Sequence, residues 1–439
     1  MKNKAKLITN RARLKGSQIM WIALVMYIAL SNIVNQLFGI EASRLSGILV
    51  LMPVLIMLAV KVLSSRGKVI FRFTYYHLYI LLFGLFCLAS SLWAQSPELS
   101  MSKGIDIIEI FVIMCIISIC YPRQDSVEAI LKAVMVGYYI VVFYEILFYG
   151  WSYFITVMQD SVRVSSDYLN ANVLGMCAAV AIFINLYLLI AKKLPVWTIA
   201  LMVVSVVVIF ASGSRKALVV LFLGIFLYWL FYSLRKRQRV RSLLRFLIAL
   251  PILVLILYRL LQLPMFAGLM ERMEGLLNVI RGGTVEKSAM LRMSLVDLGI
   301  KLFRQHPLLG IGIDNTRLFT FAVTGESYYL HNNYMEILAS GGIVGFVLYY
   351  WIYVRLLVTF IRRRKLDDRL FCACFALFIV LMVMDYGMVT YYDKTTYIYI
   401  FVFVTHARHL KAVRRSRRAV AMVDVCGSQM VTEGGNHAQ

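Results

Sequence analysis

The chain has 439 residues, of which 61% are hydrophobic and 15% charged, and its mean hydropathy is +0.79. Soluble proteins carry about a quarter charged residues, so this composition excludes a water-soluble globular fold. The net charge of +24 would favour nucleic acid binding only if it lay on a soluble basic domain. The seven Cys fall mostly inside apolar runs without a paired CxxC array, so neither disulfides nor a zinc site is expected.

Apolar runs of about 18 to 22 residues recur along the chain, and each is long enough to cross a bilayer core as a helix. We therefore predict an all-α, polytopic integral membrane helix bundle with about twelve transmembrane helices. The predicted spans are 20–38, 45–63, 75–94, 104–121, 129–149, 171–191, 196–213, 217–233, 246–262, 336–360, 370–390 and 395–410. The first run follows basic residues but precedes no small-residue cleavage site, which favours a retained span over a signal peptide.

The loops between these spans sort by charge. Loops on one side, both termini included, hold 32 of the 46 Lys and Arg, and the other side holds 14. The positive-inside rule places the basic side in the cytoplasm, so we expect both termini there. Membrane topology therefore explains the net charge, and nucleic acid is not expected as a partner.

Two predicted extracytoplasmic loops, 150–170 and 263–335, are long enough to hold a functional site. In the second loop, an amphipathic stretch at 266–280 is predicted to lie along the membrane interface. Leucines at helical spacing over 291–302 predict a further helix that ends near Pro307. The predicted domains are a cytoplasmic basic N-terminus at 1–19, nine spans at 20–262, the long loop with its amphipathic helices at 263–335, three spans at 336–410, and a basic and then disordered cytoplasmic tail at 411–439.

The segment ASGSRKA at 211–217 forms a tight small-residue turn between two predicted spans. It places Arg215 and Lys216 at the outer edge of the membrane, where a helix begins and offers free backbone N–H groups. This combination favours an anion site, and the alternative is ordinary snorkelling of the two side chains.

Two features of the long loop also carry candidate chemistry. Arg292 lies among apolar neighbours in AMLRMSLVDLG, although a solvated helix face would explain it as well. The segment YYLHNNYMEILASGGIVGF at 328–346 contains His331 and a short helix interrupted by Gly341 and Gly342 before a span. A single histidine is more often structural than catalytic, so His331 alone does not establish an active site.

Together with HPLLGIGIDNTR at 306–317, these segments resemble the O-antigen ligase and O-antigen polymerase superfamily of bacterial envelope glycosyltransferases. Members of that superfamily have a small-residue turn bearing Arg, a second Arg in a long outer loop, a HPLxGxG-like segment and an HN-containing motif before a span. The order, side and spacing agree here over about residues 160–360. The first five spans and the tail are only generically similar.

The resemblance implies a donor glycan on undecaprenyl pyrophosphate and an acceptor sugar hydroxyl, at the outer face of the bacterial cytoplasmic (inner) membrane. A neutral imidazole suits deprotonation of the hydroxyl, which makes His331 the candidate catalytic base, although His331 could instead orient the acceptor. Guanidinium groups bind pyrophosphate bidentately, so Arg215 and Arg292 are the candidate pyrophosphate ligands and Arg163 a third. The candidate glycan-binding or supporting residues are Lys216, Asn332, Asn333, Tyr328 and Glu336.

Metal-dependent transferases hold Mg²⁺ with clustered carboxylates, whereas the outer acidic residues of this chain are dispersed and form no DxD-like motif. We therefore expect no metal and no cofactor. The expected partners are the lipid-linked oligosaccharide, the glycan acceptor and the bilayer, with a chain-length regulator and a flippase as candidates.

The function predicted from the sequence is polymerisation of surface polysaccharide repeat units, of O-antigen or capsule type, by inverting glycosyl transfer. One alternative is an O-antigen ligase that transfers finished glycan to lipid A core or another envelope acceptor. An alternative of another class is a transporter or flippase of lipid-linked oligosaccharide. Transporters commonly show paired repeats and ionisable groups near the bilayer midplane, and the sequence has no visible repeat.

Overall fold

The computed structural model describes residues 2–38, 43–122, 126–159, 170–233, 287–363 and 369–410, together with residues 164 and 259. These residues form helices joined by turns, with no strand among them. Within this part of the chain, seven helices are long and apolar enough to cross a membrane, and two shorter apolar helices accompany them. The chain is therefore a helical membrane bundle, as the composition predicts.

The helices are α1 (Lys2–Phe38), α2 (Ser43–Ser64), α3 (Tyr75–Ala89), α4 (Pro97–Cys120), α5 (Ser126–Tyr149), α6 (Trp151–Gln159), α7 (Ala171–Ile190), α8 (Ile199–Ser212), α9 (Arg215–Ser233), α10 (Lys287–Gln305), α11 (Thr316–Thr324), α12 (Asn333–Arg363), α13 (Arg369–Met384) and α14 (394–410). Short 3₁₀ turns at Ser90–Leu92 and Val196–Thr198 follow α3 and precede α8.

A helix overlaps each predicted span except 246–262, which lies outside the described residues apart from residue 259. The amphipathic stretch 266–280 and the tail 411–439 also lie outside them. Three boundaries differ from the prediction by more than a few residues. Helix α1 begins at Lys2, within the segment predicted as a basic N-terminus. Helix α4 begins at Pro97, before the apolar run, because proline is favoured in the first helical turn and Glu98 complements the positive end of the helix. Helix α13 ends at Met384, and a turn at 385–387 follows it.

Helix α7 lies near the centre of the bundle, where it packs against α5, α8 and α9. It is apolar on all faces and most of its residues are buried, as expected for a helix surrounded by other helices. Its buried amide Asn185 donates hydrogen bonds to the Tyr139 hydroxyl at 2.7 Å and the Thr198 carbonyl at 3.1 Å. These bonds satisfy a polar group that would otherwise be costly to bury.

Several inter-helix segments meet at one end of this bundle. Val164 donates a backbone hydrogen bond to the Ala211 carbonyl at 3.2 Å, and the Ser214 hydroxyl donates to the Asn172 amide oxygen at 3.1 Å. Asn333, at the start of α12, donates its backbone N–H to the Asp385 carbonyl at 2.7 Å. The fold thus brings the ASGSRKA turn, the beginning of α12 and the turn after α13 to the same end, where the candidate site lies.

Candidate functional site

Helix α12 is interrupted near its start, and the HPLLGIG segment fills the interruption. Gly342 has φ 60° and ψ −164°, a backbone conformation that is essentially restricted to glycine. The break frees the backbone N–H groups of Ile343 and Val344, which donate to the Pro307 and Leu308 carbonyls at 2.8 and 3.1 Å. A Cβ at Gly342 would overlap the Leu308 carbonyl oxygen, so the close approach requires glycine.

The corner between α3 and α4 holds the next part of the same segment. The Ser90 hydroxyl accepts a hydrogen bond from the Ile313 N–H at 3.1 Å, and the Ser100 hydroxyl donates to the Ile313 carbonyl at 2.7 Å. The buried Asn315 amide accepts from the Ser96 N–H at 2.7 Å and donates to the Ser100 hydroxyl at 2.9 Å. Residues 90–100 therefore fix the backbone that leads into α11, a role that the sequence did not indicate.

Glu336 determines the conformation of the turn that carries His331. Its buried carboxylate accepts hydrogen bonds from the Leu330 N–H at 2.9 Å and the Thr316 hydroxyl at 2.6 Å. His331 itself has φ 54°, which is uncommon for a residue other than glycine. The Asn332 side chain caps α12 by accepting from the Met335 N–H at 3.1 Å. Glu336 and Asn332 thus support the turn from its two sides.

Asn333 links the start of α12 to the segment after α13. Its amide oxygen accepts hydrogen bonds from the N–H groups of Thr390 and Tyr391, at 2.9 and 3.1 Å. Its amide nitrogen donates to the Tyr350 hydroxyl at 2.8 Å. Asn333 is fully buried, so its contacts are those of a structural residue. The sequence predicts a glycan-binding or supporting role for Asn333, and its position favours the supporting role.

The imidazole of His331 is half-buried among aromatic rings and cationic groups. The ring of Tyr329 lies 4.5 Å from it and that of Tyr328 6.1 Å, between ring centroids. Burial, and then the positive charges of Lys216 and Arg292, lower the pKa of His331 to about 4. The imidazole is therefore neutral near pH 7 and can accept a proton, as the candidate role of a base requires.

Lys216 and Arg292 reach His331 from elements that are distant in sequence. A Cβ at Gly387 would lie 3.4 Å from Cε of Lys216, so the Lys216 side chain lies over the turn that follows α13. Arg292 is half-buried on α10 and forms no ion pair or hydrogen bond with the described residues. Arg215 is the first residue of α9 and is also half-buried. The charges of Lys216 and Arg292 therefore act on His331, Arg215 precedes Lys216 in the chain, and Arg163, the fourth candidate, lies outside the described residues.

A second charged group, which the sequence analysis did not single out, lies beyond Tyr329. Nε of Arg317 donates to the buried Asp314 carboxylate at 2.9 Å. The positive charge of Arg317 acts on both Tyr329 and Tyr392. The only sequence signal for this pair is its position inside IDNTR at the end of the HPLLGIG segment, where Arg317 lies three residues after Asp314.

A cavity of 530 Å³ extends from Tyr329 and Tyr392 into the bundle. This volume is in the usual range for ligand pockets, about 300 to 1,000 Å³. Helices α7, α9 and α13 supply an apolar wall, and a second wall carries polar groups of α1 and of residues 390–396. One molecule with an apolar part and a polar part would match both walls.

Carboxylates near the site already have protein partners. Glu336 binds Leu330 and Thr316, Asp314 pairs with Arg317, and the exposed Glu326 accepts a hydrogen bond from the Tyr328 hydroxyl. Within the described ranges there is no group of three or more His, Cys, Asp or Glu residues that could hold a metal ion. Lys216 and Arg292, whose charges act on His331, are cationic groups suited to binding an anion.

Residues 200–350, about a third of the chain, match the model of a protein family described as O-antigen ligase. The match confirms the resemblance of this region to the O-antigen ligase and polymerase superfamily. It contains Arg215, Arg292, the HPLLGIG segment and the turn of His331, whereas residues 90–100 and 385–393 lie outside it. No curated protein matches the chain.

Proposed function

We propose that the chain is a polymerase of surface polysaccharide repeat units, and that it works by metal-independent, inverting glycosyl transfer. The donor is a glycan on undecaprenyl pyrophosphate, and the acceptor is a sugar hydroxyl at the outer face of the cytoplasmic membrane. The observation that carries the proposal is the convergence of Lys216 and Arg292 on a half-buried, neutral His331. The family match supports ligase- or polymerase-type chemistry in the same region.

In the proposed reaction, His331 acts as general base. The acceptor oxygen attacks the anomeric carbon of the donor sugar from the face opposite the pyrophosphate, which inverts the configuration at that carbon. The hydroxyl proton passes to the imidazole as the new C–O bond forms. The bond between the anomeric carbon and the pyrophosphate breaks, and its electron pair leaves with the pyrophosphate oxygen. Arg215, Arg292 and Lys216 bind this growing negative charge, with Arg163 as a further candidate.

Binding of the donor would also make His331 a stronger base. Lys216 and Arg292 are two of the three causes that lower its pKa. A bound pyrophosphate offsets both positive charges, so the pKa rises towards its ordinary value once the donor is in place. The base thus becomes stronger when it has a substrate to act on.

The apolar wall of the cavity is suited to a prenyl lipid as part of the donor. Val173 and Met176 of α7, Val220 of α9 and Leu381 of α13 line this wall. Helix α9 begins with Arg215 and Lys216. A pyrophosphate held by these residues would therefore have an apolar surface beside it along which the first prenyl units can lie.

The second candidate function is an O-antigen ligase, because the matching family model is described by that name. Polymerase is preferred because the outer loop has no feature that suggests binding of a lipid A core. Transport of lipid-linked oligosaccharide is disfavoured because Lys216 and Arg292 meet at loops at one end of the bundle, whereas transporters bind near the midplane.

The test is a transfer assay in EDTA with the purified protein and synthetic undecaprenyl-pyrophosphate oligosaccharide. Wild type is compared with Arg215→Lys, Arg292→Lys and His331→Ala. Arg304→Lys is the matched control, because Arg304 is exposed on the same helix as Arg292. We expect ladders of longer lipid-linked glycan from wild type and the control, and none from the other three variants.

Each other outcome replaces the proposal with a specific alternative. Transfer to lipid A core without ladders identifies a ligase. Activity that requires a divalent cation rules out the metal-independent mechanism. Passage of the lipid across protein-containing vesicles without any transfer identifies a transporter.

A further inference from the structure

The cations near the candidate site differ in charge balance. Three cations, on α4, on α11 and at the start of α14, each pair with a carboxylate: Lys103 with Asp106 at 3.0 Å, Arg317 with Asp314 at 2.9 Å, and Lys394 with Glu109 at 2.8 Å. Arg292, whose charge acts on His331, forms no such pair with the described residues. An anion gains most beside a cation that has no carboxylate partner, so the surroundings of the three paired cations suit a substrate part without charge.

Arg317, one of the paired cations, is a rigid hydrogen-bond donor. Its Nε atom binds Asp314, whose side chain is 7% exposed and is held within the turn that precedes α11. The Nη groups of Arg317 form no hydrogen bond with the described residues. An arginine has five N–H donors in a fixed plane, so the pair leaves several of them to bind hydroxyl groups.

The positive charge of Arg317 acts on two tyrosines, Tyr329 and Tyr392. Nζ of Lys103 lies 4.7 Å from the centre of the Tyr392 ring, and the Tyr391 ring lies nearly perpendicular to the Tyr392 ring, 5.0 Å away between centroids. The ring of Tyr329 lies 4.5 Å from that of His331, and the charges of both Arg317 and Arg292 act on its hydroxyl. Both Tyr329 and Tyr392 line the cavity. Rigid aromatic rings with a few fixed polar groups are typical of sites that orient a small ligand.

We propose that Tyr329, Tyr392 and Arg317 form the subsite for the acceptor sugar, and that this subsite takes an uncharged, hydroxyl-rich pyranoside. The rings provide flat apolar surfaces for the faces of the sugar, and Arg317 donates hydrogen bonds to its hydroxyls. The Tyr329 ring is 4.5 Å from the imidazole of His331, so a sugar bound here presents a hydroxyl to the base. The inference rests on the proposed transfer reaction and adds the position and chemical class of the acceptor.

Steady-state kinetics can separate the acceptor from the donor. The acceptor is supplied as the methyl glycoside of the repeat unit, which has no pyrophosphate and therefore cannot act as donor. We expect Arg317→Gln to raise the acceptor KM about tenfold or more, which is the effect of losing a hydrogen bond to a charged donor, and to leave the donor KM unchanged within about twofold. Arg292→Gln should show the opposite pattern. Tyr392→Leu should raise the acceptor KM, and Tyr392→Phe should not.

Binding measured without turnover keeps this inference separate from the proposed function. Saturation-transfer NMR on the protein in nanodiscs would use methyl glycosides of neutral hexoses, 6-deoxyhexoses and N-acetylhexosamines, with hexuronic acids as matched charged probes. We expect a neutral glycoside to bind wild type and not Arg317→Gln. Arg317-dependent binding by a protein that transfers nothing would uphold the subsite and reject the transferase. Absence of neutral binding, preference for the uronic acid, or a donor KM that rises with the acceptor KM would overturn the subsite.

Discussion

Glu336 accepts a hydrogen bond from the backbone N–H of Leu330 at 2.9 Å, one residue before His331. The same carboxylate accepts from the Thr316 hydroxyl, which adjoins Arg317. One buried side chain therefore ties together the turn that carries the candidate base and the start of the helix that carries the candidate acceptor arginine. Its position explains why a hydrogen-bonding side chain of this length is needed, without giving it a role in proton transfer.

Replacing Glu336 with Ala should lower the rate of transfer by about 10²-fold, the usual effect of displacing a catalytic group by about 1 Å. Glu336→Gln should retain most of the rate, because its amide oxygen can accept from Leu330 while its NH₂ group donates to the Thr316 hydroxyl. The measurement is the initial rate of glycan transfer by each of the two variants. If Glu336→Gln is as inactive as Glu336→Ala, the carboxylate has a chemical role and does more than position the turn of His331.

The pH dependence of the rate should differ between free and donor-bound protein. His331 must be neutral to accept a proton, so activity falls as the pH drops through its pKa, which is about 4 in the free protein. In the pH profile of kcat/KM, the acid limb should therefore lie near this pKa. In the pH profile of kcat, the acid limb should lie at higher pH, because a bound pyrophosphate offsets the charges of Lys216 and Arg292 and raises the pKa of His331.

Lys216→Gln provides the check on this prediction. Removing one of the two positive charges should raise the pKa of His331 and move the kcat/KM limb to higher pH. Lys301→Gln, an exposed position on α10, should leave the limb where it is. Coincident limbs for kcat and kcat/KM, or a limb that does not respond to Lys216→Gln, would show that another group titrates.

The helical membrane bundle and the separate motifs were predictable because each depends on a local signal. Length and hydropathy located helices such as α7, and glycines with proline marked the interruption at Gly342 and the segment after Pro307. The order of the motifs also indicated the superfamily that the match over residues 200–350 confirms. Local signals cannot report which loops meet in space. The link between Lys216 and His331 was therefore not predictable from either segment alone.

The contacts that hold the site come from ordinary polar residues in unremarkable stretches of sequence. Ser90 and Ser100 belong to a corner between two spans, and they bind Ile313 more than two hundred residues away. Arg317 is three residues from Asp314, a spacing that many surface pairs share. Only the packing of α3, α4 and α12 gives these residues their positions, so no local pattern in the sequence marks them.

Asn333 and its neighbour Asn332 should respond differently to substitution. Asn333→Ala would remove the acceptor for two buried N–H groups and the donor to Tyr350, at about 1 to 3 kcal/mol for each buried group left without a partner. We expect little folded protein in detergent, judged by size-exclusion profile and thermal stability. Asn332→Ala loses one helix cap, at about 1 kcal/mol, and should remain folded. A folded Asn333→Ala with a raised acceptor KM would instead assign Asn333 to glycan binding.

Gly342 and Gly325 both have positive φ, 60° and 75°, but only Gly342 has close neighbours. A Cβ at Gly325 meets nothing within 4 Å, so Gly325→Ala should cost about 1 to 2 kcal/mol from the backbone conformation alone. Gly342→Ala adds an overlap with the Leu308 carbonyl and would push away the segment that carries Gly310. We therefore expect a clearly lower melting temperature for Gly342→Ala than for Gly325→Ala, together with loss of transfer. Equal melting temperatures for the two variants would show that the HPLLGIG segment does not depend on this contact with α12.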